Sequence, residues 1–315
     1  MAACLLVDGA ACAHEPYPGK PINVILPLQA GSASDIAVRL VCEKLAEDLK
    51  GSFVIENVPG AAGLIGAERL AKAKRDGYTL AALNNSILTI LPNVRRGQVN
   101  FDPLGDFVPL RGLANIPTLL GVNKDVPIDN VKELVEYARR NPGKLNYSSG
   151  GPGSPQHLAT EMFQAMTGVR LTHVPYKGAT QAAADLASGQ VQVMFIAHAL
   201  AQPFLPSGKV KPIAFAGGER SGSFPALPTV AESGVPGFDY SSWIALFAPR
   251  DTPGPVVELL RQAIARALTQ PALKDRFSKA GLELWDTPAE RVTSVIRADL
   301  ARWDKVVKTP GFSAD

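Results

Sequence analysis

The chain twice repeats one unit: an apolar strand, a run of small or polar residues, then a segment of helical periodicity. The first copy is NVILPLQAGSASDIAVR at 23–39 and the second is LNYSSGGPGSPQHLATEMF at 145–163. Nothing else in the sequence limits the fold as tightly. A strand that stops in small residues and passes at once into a helix is a βα unit, and repeated βα units imply a doubly wound, parallel sheet. The unit also has an electrostatic consequence. Small residues leave backbone N–H groups uncovered, and a helix N-terminus adds about half an elementary positive charge. Each copy is therefore a place for an anion that needs no fixed cation.

The alternation continues on both sides of these units. Strands are predicted at 24–28, 53–56 and 78–83, with helices at 35–50 and 65–73. A second cycle runs through strands 119–122, 144–147, 171–174, 191–196 and 210–216, with helices at 129–140, 158–166 and 181–188. A strand at 243–248 then leads to helices at 256–269, 273–280 and 288–306. This pattern predicts two doubly wound α/β lobes with a ligand cleft between them. Residues 17–121 together with 242–315 form the first lobe and 122–241 the second. Ligands bind beyond the carboxyl ends of such strands, so the loops 29–34 and 84–86 are expected to face one crevice.

Composition narrows the function. The 315 residues carry 32 Lys plus Arg against 29 Asp plus Glu, without a long basic run, which argues against nucleic acid as a partner. The N-terminal stretch MAACLLVDGAACAHE has a short apolar patch and then Ala11-Cys12-Ala13, an A-x-A pattern of the kind signal peptidases cut. No Lys or Arg precedes Lys20, so residues 1–16 read as the remnant of a secretory signal, which predicts a periplasmic protein. Lipidation of Cys12 is the other reading, with Gly9 where a lipobox wants Leu. Beyond this leader only Cys42 remains, and one cysteine supports neither a disulfide nor a zinc site.

Five segments, taken in order, resemble the Bug, or tripartite tricarboxylate transporter, family of periplasmic solute-binding proteins. They are ILPLQAGSASDIAVR, ENVPGAAGLIGAERLAKAKRDGYTL, LNYSSGGPGSPQHLATEMF, HVPYKGATQAAADLASGQV and LPTVAESGVPGFDYSSWIALFAPRDTP, and the likeness runs from about Tyr17 to the C-terminus. Two positions depart from the family pattern: Gly31-Ser32 replaces a Gly-Gly pair, and Ala62 stands where Gly is common. The resemblance implies a type II periplasmic-binding-protein fold closing by a hinge over a small carboxylate: an acidic amino acid, a di- or tricarboxylate or an aromatic acid. It implies no cofactor, a monomer, and delivery of the ligand to cognate membrane transporter subunits.

Candidate contact residues follow from the loops. In the first lobe they are Gln29, Gly31, Ser32, Ala33 and Ser34, then Asn85 and Ser86. Ser34 is equally a helix cap, and Asp35 is expected to brace the loop, because a second negative charge would repel an anion. In the second lobe they are Ser149, Gly153, Ser154 and His157, with Tyr176 and Phe195 from later strands. His157 either donates to the ligand or bonds locally, and Tyr176 and Phe195 either line the cleft or pack the core. The turn 57–60 is read as fold geometry and Lys177 as a solvated charge. The alternative is a hydrolase acting on a small carboxylated metabolite. Against it, there is no G-x-S-x-G, no G-x-x-x-x-G-K-[ST] and no metal-ligand spacing among the four histidines.

Overall fold

In a computed structural model that describes residues 17–313, twenty-one strands and helices alternate along the chain. The first part comprises β1 (Ile22–Leu26), α1 (Ala33–Leu49), β2 (Phe53–Asn57), α2 (Leu64–Ala71), β3 (Thr79–Asn84), α3 (Leu91–Val94) and β4 (Phe107–Asn115). The middle part comprises β5 (Thr118–Asn123), α4 (Val131–Arg140), β6 (Asn146–Ser149), α5 (Pro155–Thr167), β7 (Thr172–Pro175), α6 (Ala179–Ser188), β8 (Val193–Ala197), α7 (His198–Ala201) and β9 (Val210–Phe215). The chain ends with β10 (Trp243–Pro249), α8 (Gly254–Leu268), α9 (Pro271–Lys279), β11 (Glu283–Pro288) and α10 (Ala289–Val306). The leader expected at residues 1–16 lies outside the described residues.

Two sheets organise these elements. Six strands in the order β11-β4-β10-β3-β1-β2 build one lobe, and five in the order β7-β6-β8-β5-β9 build the other. The βα units give parallel pairing, as expected: β1 lies between β2 and β3, and β6 between β7 and β8. The remaining strands depart from an all-parallel sheet. β10 runs antiparallel to both β3 and β4, and β5 runs antiparallel to both β8 and β9. The reason is connectivity. The chain enters and leaves each lobe through these strands without a crossover helix, which parallel pairing would require. It crosses between sheets at Ile116-Pro117, where β4 gives way to β5, and returns through 216–242. The expected boundary after residue 121 would divide β5.

The central strands are apolar throughout because helices cover both faces. All seven residues of β10 and all five of β8 are buried, which is why WIALFAP and VMFIA show no alternation. Besides the one-turn helices α3 and α7, two strands had no clear periodicity and were not expected from the sequence. β4 alternates weakly, with Pro109 and Arg111 among its residues, and β11 contains Asp286 and Pro288, being held at the sheet edge by β4.

The cores do not stop at the lobe boundary. One cluster runs from Val24, Val38 and Leu260 through Ile116 and Leu119 to Leu186 and Met194. A second gathers Tyr147, Phe163, Phe195 and Phe238 in the five-stranded lobe and takes in Trp303 from α10. Trp303 is fully buried, edge-on to Tyr240 with ring centroids 6.1 Å apart, and its indole N–H has no hydrogen-bond partner. Packing therefore holds it, with the Arg302 guanidinium 5.8 Å from its ring centroid. We expect Trp303→Ala to lower unfolding stability by about 3–5 kcal/mol, measured as a shift in the urea midpoint. A loss below about 1 kcal/mol would mean that α10 docks chiefly through surface pairs such as Arg96–Asp304.

Candidate functional site

The loop after β1 is held from beneath. Helix α1 starts at Ala33, two residues before the expected Asp35, and its cap is Ser32, whose Oγ accepts the Asp35 N–H at 3.2 Å. The Asp35 side chain turns back under the loop. Its carboxylate accepts the Gly31 N–H at 2.9 Å, Arg39 Nε at 2.9 Å and Asn57 Nδ2 at 2.9 Å. Asn57 also donates to the Leu28 carbonyl at 3.0 Å, which ties the end of β2 to the same loop. Burial pushes the Asp35 carboxyl up, but the hydrogen bonds from Arg39, Asn57 and Gly31 outweigh it and hold it below the ordinary carboxylate value. The Ser32 N–H turns to the Gln29 carbonyl at 3.2 Å, and Ala33 and Ser34, whose amides open the helix, line a cleft.

The loop before α5 is built differently. His157 Nδ1 accepts the Gly153 N–H at 3.0 Å, and Ser149 Oγ lies 2.6 Å from His173 Nε2. The two imidazoles stack 4.5 Å apart, and Tyr147 stacks on His173 at 4.7 Å. Burial, then His173 and Arg95, depress His157 to about 4, so near neutral pH its ring is uncharged and its Nδ1 is free to accept. It bonds locally. Ser154 caps α5, and its hydroxyl is buried with no hydrogen-bond partner.

Between the lobes lies a cleft of about 400 Å³. Three helix N-termini reach it: Ser32–Ser34 of α1, Ser154–Gln156 of α5, and Gly178-Ala179 of α6. Of the residues singled out in the sequence, Gln29, Ser32, Ala33 and Ser34 line it from one side and Ser154, Tyr176 and Phe195 from the other. Ser86 joins them from a π-helical turn at Ser86–Ile90, with Oγ 3.2 Å from the Tyr240 hydroxyl. Phe195 serves the core as well, stacking on Phe238 at 5.5 Å. The Tyr176 hydroxyl donates to Asp185 at 2.7 Å, and burial together with that carboxylate pushes its pKa up to about 12.

Gly31, Asn85, Ser149, Gly153 and His157 stand one layer behind the lining, where they shape the loops. Asn85, for instance, is fully buried and donates to the Ser241 carbonyl at 2.9 Å. Sequence reading missed the wall formed by residues 59–63, taking the turn at 57–60 as scaffold. Gly60, Ala61, Ala62 and Gly63 all have positive φ, at 134°, 46°, 57° and 99°. The signal was present, since a glycine-rich loop at the carboxyl end of a parallel strand is where ligands bind.

Contacts join the two lobes across the mouth. Thr180 Oγ1 donates to the Gly31 carbonyl at 3.2 Å. Gln29 packs on Gly178 so closely that a Cβ there would stand 1.5 Å from its Oε1. Likewise a Cβ on Gly153 would stand 2.8 Å from that of Ala62. No Asp or Glu lines the cleft; its only charged side chains among the described residues are Arg95 and Lys177. No group of three or more His, Cys, Asp or Glu among those residues is placed to hold a metal ion.

Two lobes that face each other across an anion-friendly cleft fit a solute receptor, and comparison with known proteins agrees. The model of the tripartite tricarboxylate transporter family receptor matches residues 37–312, and the chain belongs to that family. It is 31% identical to the protein BugT of Bordetella pertussis over 307 residues, covering 96% of this chain and 93% of that protein. The solved structure of R. palustris Rpa4515 with adipate has a TM-score of 0.88 at 35% identity, covering 94% of this chain and 99% of that one. MatC from Rhodopseudomonas palustris with bound malate has a TM-score of 0.87 at 31% identity, covering 93% and 100%.

Two outcomes follow from the loop chemistry. A carboxyl held low in the folded state stabilises above the ordinary aspartate pKa of about 4 and stops doing so as pH falls through its folded value. Asp35→Asn is therefore expected to cost about 1–3 kcal/mol at pH 7 and to flatten the loss of stability between about pH 5 and pH 3, read from urea midpoints. At Ala62, relief of left-handed strain outweighs the added chain entropy of glycine, so Ala62→Gly should stabilise by about 0.5–1 kcal/mol. A lower melting temperature for that variant would mean that the methyl contact with Gly153 is worth more than the strain.

Proposed function

We propose that this chain is a periplasmic receptor that closes its two lobes over a small carboxylate and delivers it to the membrane subunits of a tripartite tricarboxylate-type transporter. The observation that carries the reading is electrostatic: three helix N-termini and two cations meet in a cleft with no acidic lining. An anion there gains charge-assisted hydrogen bonds of about 1.5–3 kcal/mol each, enough in combination to offset desolvation of a carboxylate. The contact residues would be those that line the cleft, with Ser32–Ser34 and Ser154 nearest the helix ends. Family membership supports the transport role, and the adipate and malate held by two structural neighbours support the ligand class. Closure would hinge where the chain crosses between sheets, at 116–117 and along 216–242.

A hydrolytic reading has one observation to consider, the Ser149–His173 pair. Ser149 is fully buried, and its hydroxyl also accepts the Gly151 N–H at 3.1 Å, so it is bound up in the loop. It offers no exposed nucleophile.

The test is thermal unfolding of ligand-stripped protein against di- and tricarboxylates, acidic amino acids and aromatic acids, with neutral sugars as controls. A ligand at 100 times its Kd adds about 2.7 kcal/mol, a rise of several degrees, and should be recovered chemically unchanged. A flat response to every carboxylate would remove the ligand class. Turnover of the bound acid would replace the receptor with an enzyme.

A further inference from the structure

Arg95 follows α3 in the six-stranded lobe and lines the cleft, half-buried. Only its backbone is hydrogen-bonded, the N–H to Leu91 O at 2.7 Å and the carbonyl from Gln98 N at 3.0 Å. Among the described residues its guanidinium has no acceptor and no carboxylate within ion-pair distance, whereas the adjacent Arg96 is paired with Asp304. The Nη2 atom reaches across to the other lobe, 3.9 Å from where a Cβ on Gly153 would stand. The next residue is Ser154, whose buried hydroxyl is also without a partner. Two unmet donors, one of them charged, thus stand at the α5 end of the cleft, while the α1 loop provides amides from the opposite lobe. A guanidinium held partly out of water without a counterion is costly, and its planar fork matches a carboxylate. His157 does not supply charge here, because its ring is neutral. Lys177, the other lining cation, is exposed and remains hydrated.

Resting on the receptor reading above, we infer that Arg95 is the residue that selects dianionic ligands: a linear dicarboxylate bound with one carboxylate on the helix-end amides and the second on the Arg95 guanidinium and Ser154 hydroxyl. Closure brings the second carboxylate's two partners together, since Arg95 and Ser154 belong to different lobes. The distal charge therefore fixes the closed form as well as the ligand's orientation.

The experiment compares each dicarboxylate with its half-ester, which keeps the shape and one charge while removing the other. Adipate against monomethyl adipate, and succinate against monomethyl succinate, are titrated by calorimetry at pH 7.5 into ligand-stripped protein. For at least one pair the parent chain should bind the dianion tenfold or more tightly, equivalent to about 1.4 kcal/mol. In Arg95→Gln that ratio should fall towards one, and Arg95→Lys should restore part of it. A ratio near one for both pairs in the parent chain overturns the inference, as does a ratio that Arg95→Gln leaves unchanged. A ratio that collapses in Lys177→Gln but not in Arg95→Gln overturns it too. In each of those cases carboxylates still bind, so the receptor reading survives. Absence of heat from all four compounds, together with a flat thermal response to the wider panel, removes both.

Discussion

The carboxylate of Asp35 lies under the loop that it supports, and the cleft depends on that placement. A helix leaves its first amides without intrahelical partners, and most proteins satisfy them with a side chain from above. Here the Ser32 hydroxyl takes one amide, while Asp35 takes the Gly31 N–H from below and is itself held by Arg39 and Asn57. The positive end of α1 therefore keeps an open face. With Asp35 on that face, its negative charge would occupy the place an anion needs. Beneath the loop, it lends rigidity and is neutralised by Arg39.

The second lobe reaches a similar end with different chemistry. A stack of Tyr147, His173 and His157 replaces the carboxylate network, and the loop amide is held by a neutral imidazole. The Tyr147 hydroxyl donates to Glu161 at 2.6 Å, and burial raises that carboxyl. The group that holds this loop's amide is thus an uncharged imidazole, and the cleft is lined by helix ends together with Arg95 and Lys177. The glycines at 153 and 178 have a steric role in addition. They let the opposite lobe approach to contact distance, through Ala62 and Gln29, which side chains would prevent.

This division of labour accounts for an anion-friendly cleft. Helix N-termini stabilise a charge that is already present, and they supply neither a nucleophile nor a base. The Ser149–His173 pair stands behind the loop as part of its frame. Membership in the tripartite tricarboxylate transporter receptor family fits such a site.

Much of the fold was legible along the chain because it rests on local rules. Apolar runs buried on both faces, small-residue loops and helix caps identified β1, α1, β6 and α5 to within a few residues, and with them the two anion loops. The order of five segments identified the family. Besides the one-turn helices α3 and α7, what escaped were the strands β4 and β11, whose polar residues and prolines are tolerated only because neighbouring strands hold them, and the antiparallel direction of β5 and β10. Within the site, the amino-acid sequence placed Ser32–Ser34 and Ser154 at helix ends. It did not separate the lining from the layer behind it, since Ser149 at the end of β6 and Ser154 at the start of α5 flank the same short loop, and only the fold ties Ser149 to His173 and puts Ser154 in the lining. Arg95 was invisible as a site residue, being one of two adjacent arginines after a short helix. Tertiary structure alone paired Arg96 with Asp304 and left Arg95 facing the opposite lobe, because the partners of a charge are set by chain segments hundreds of residues apart.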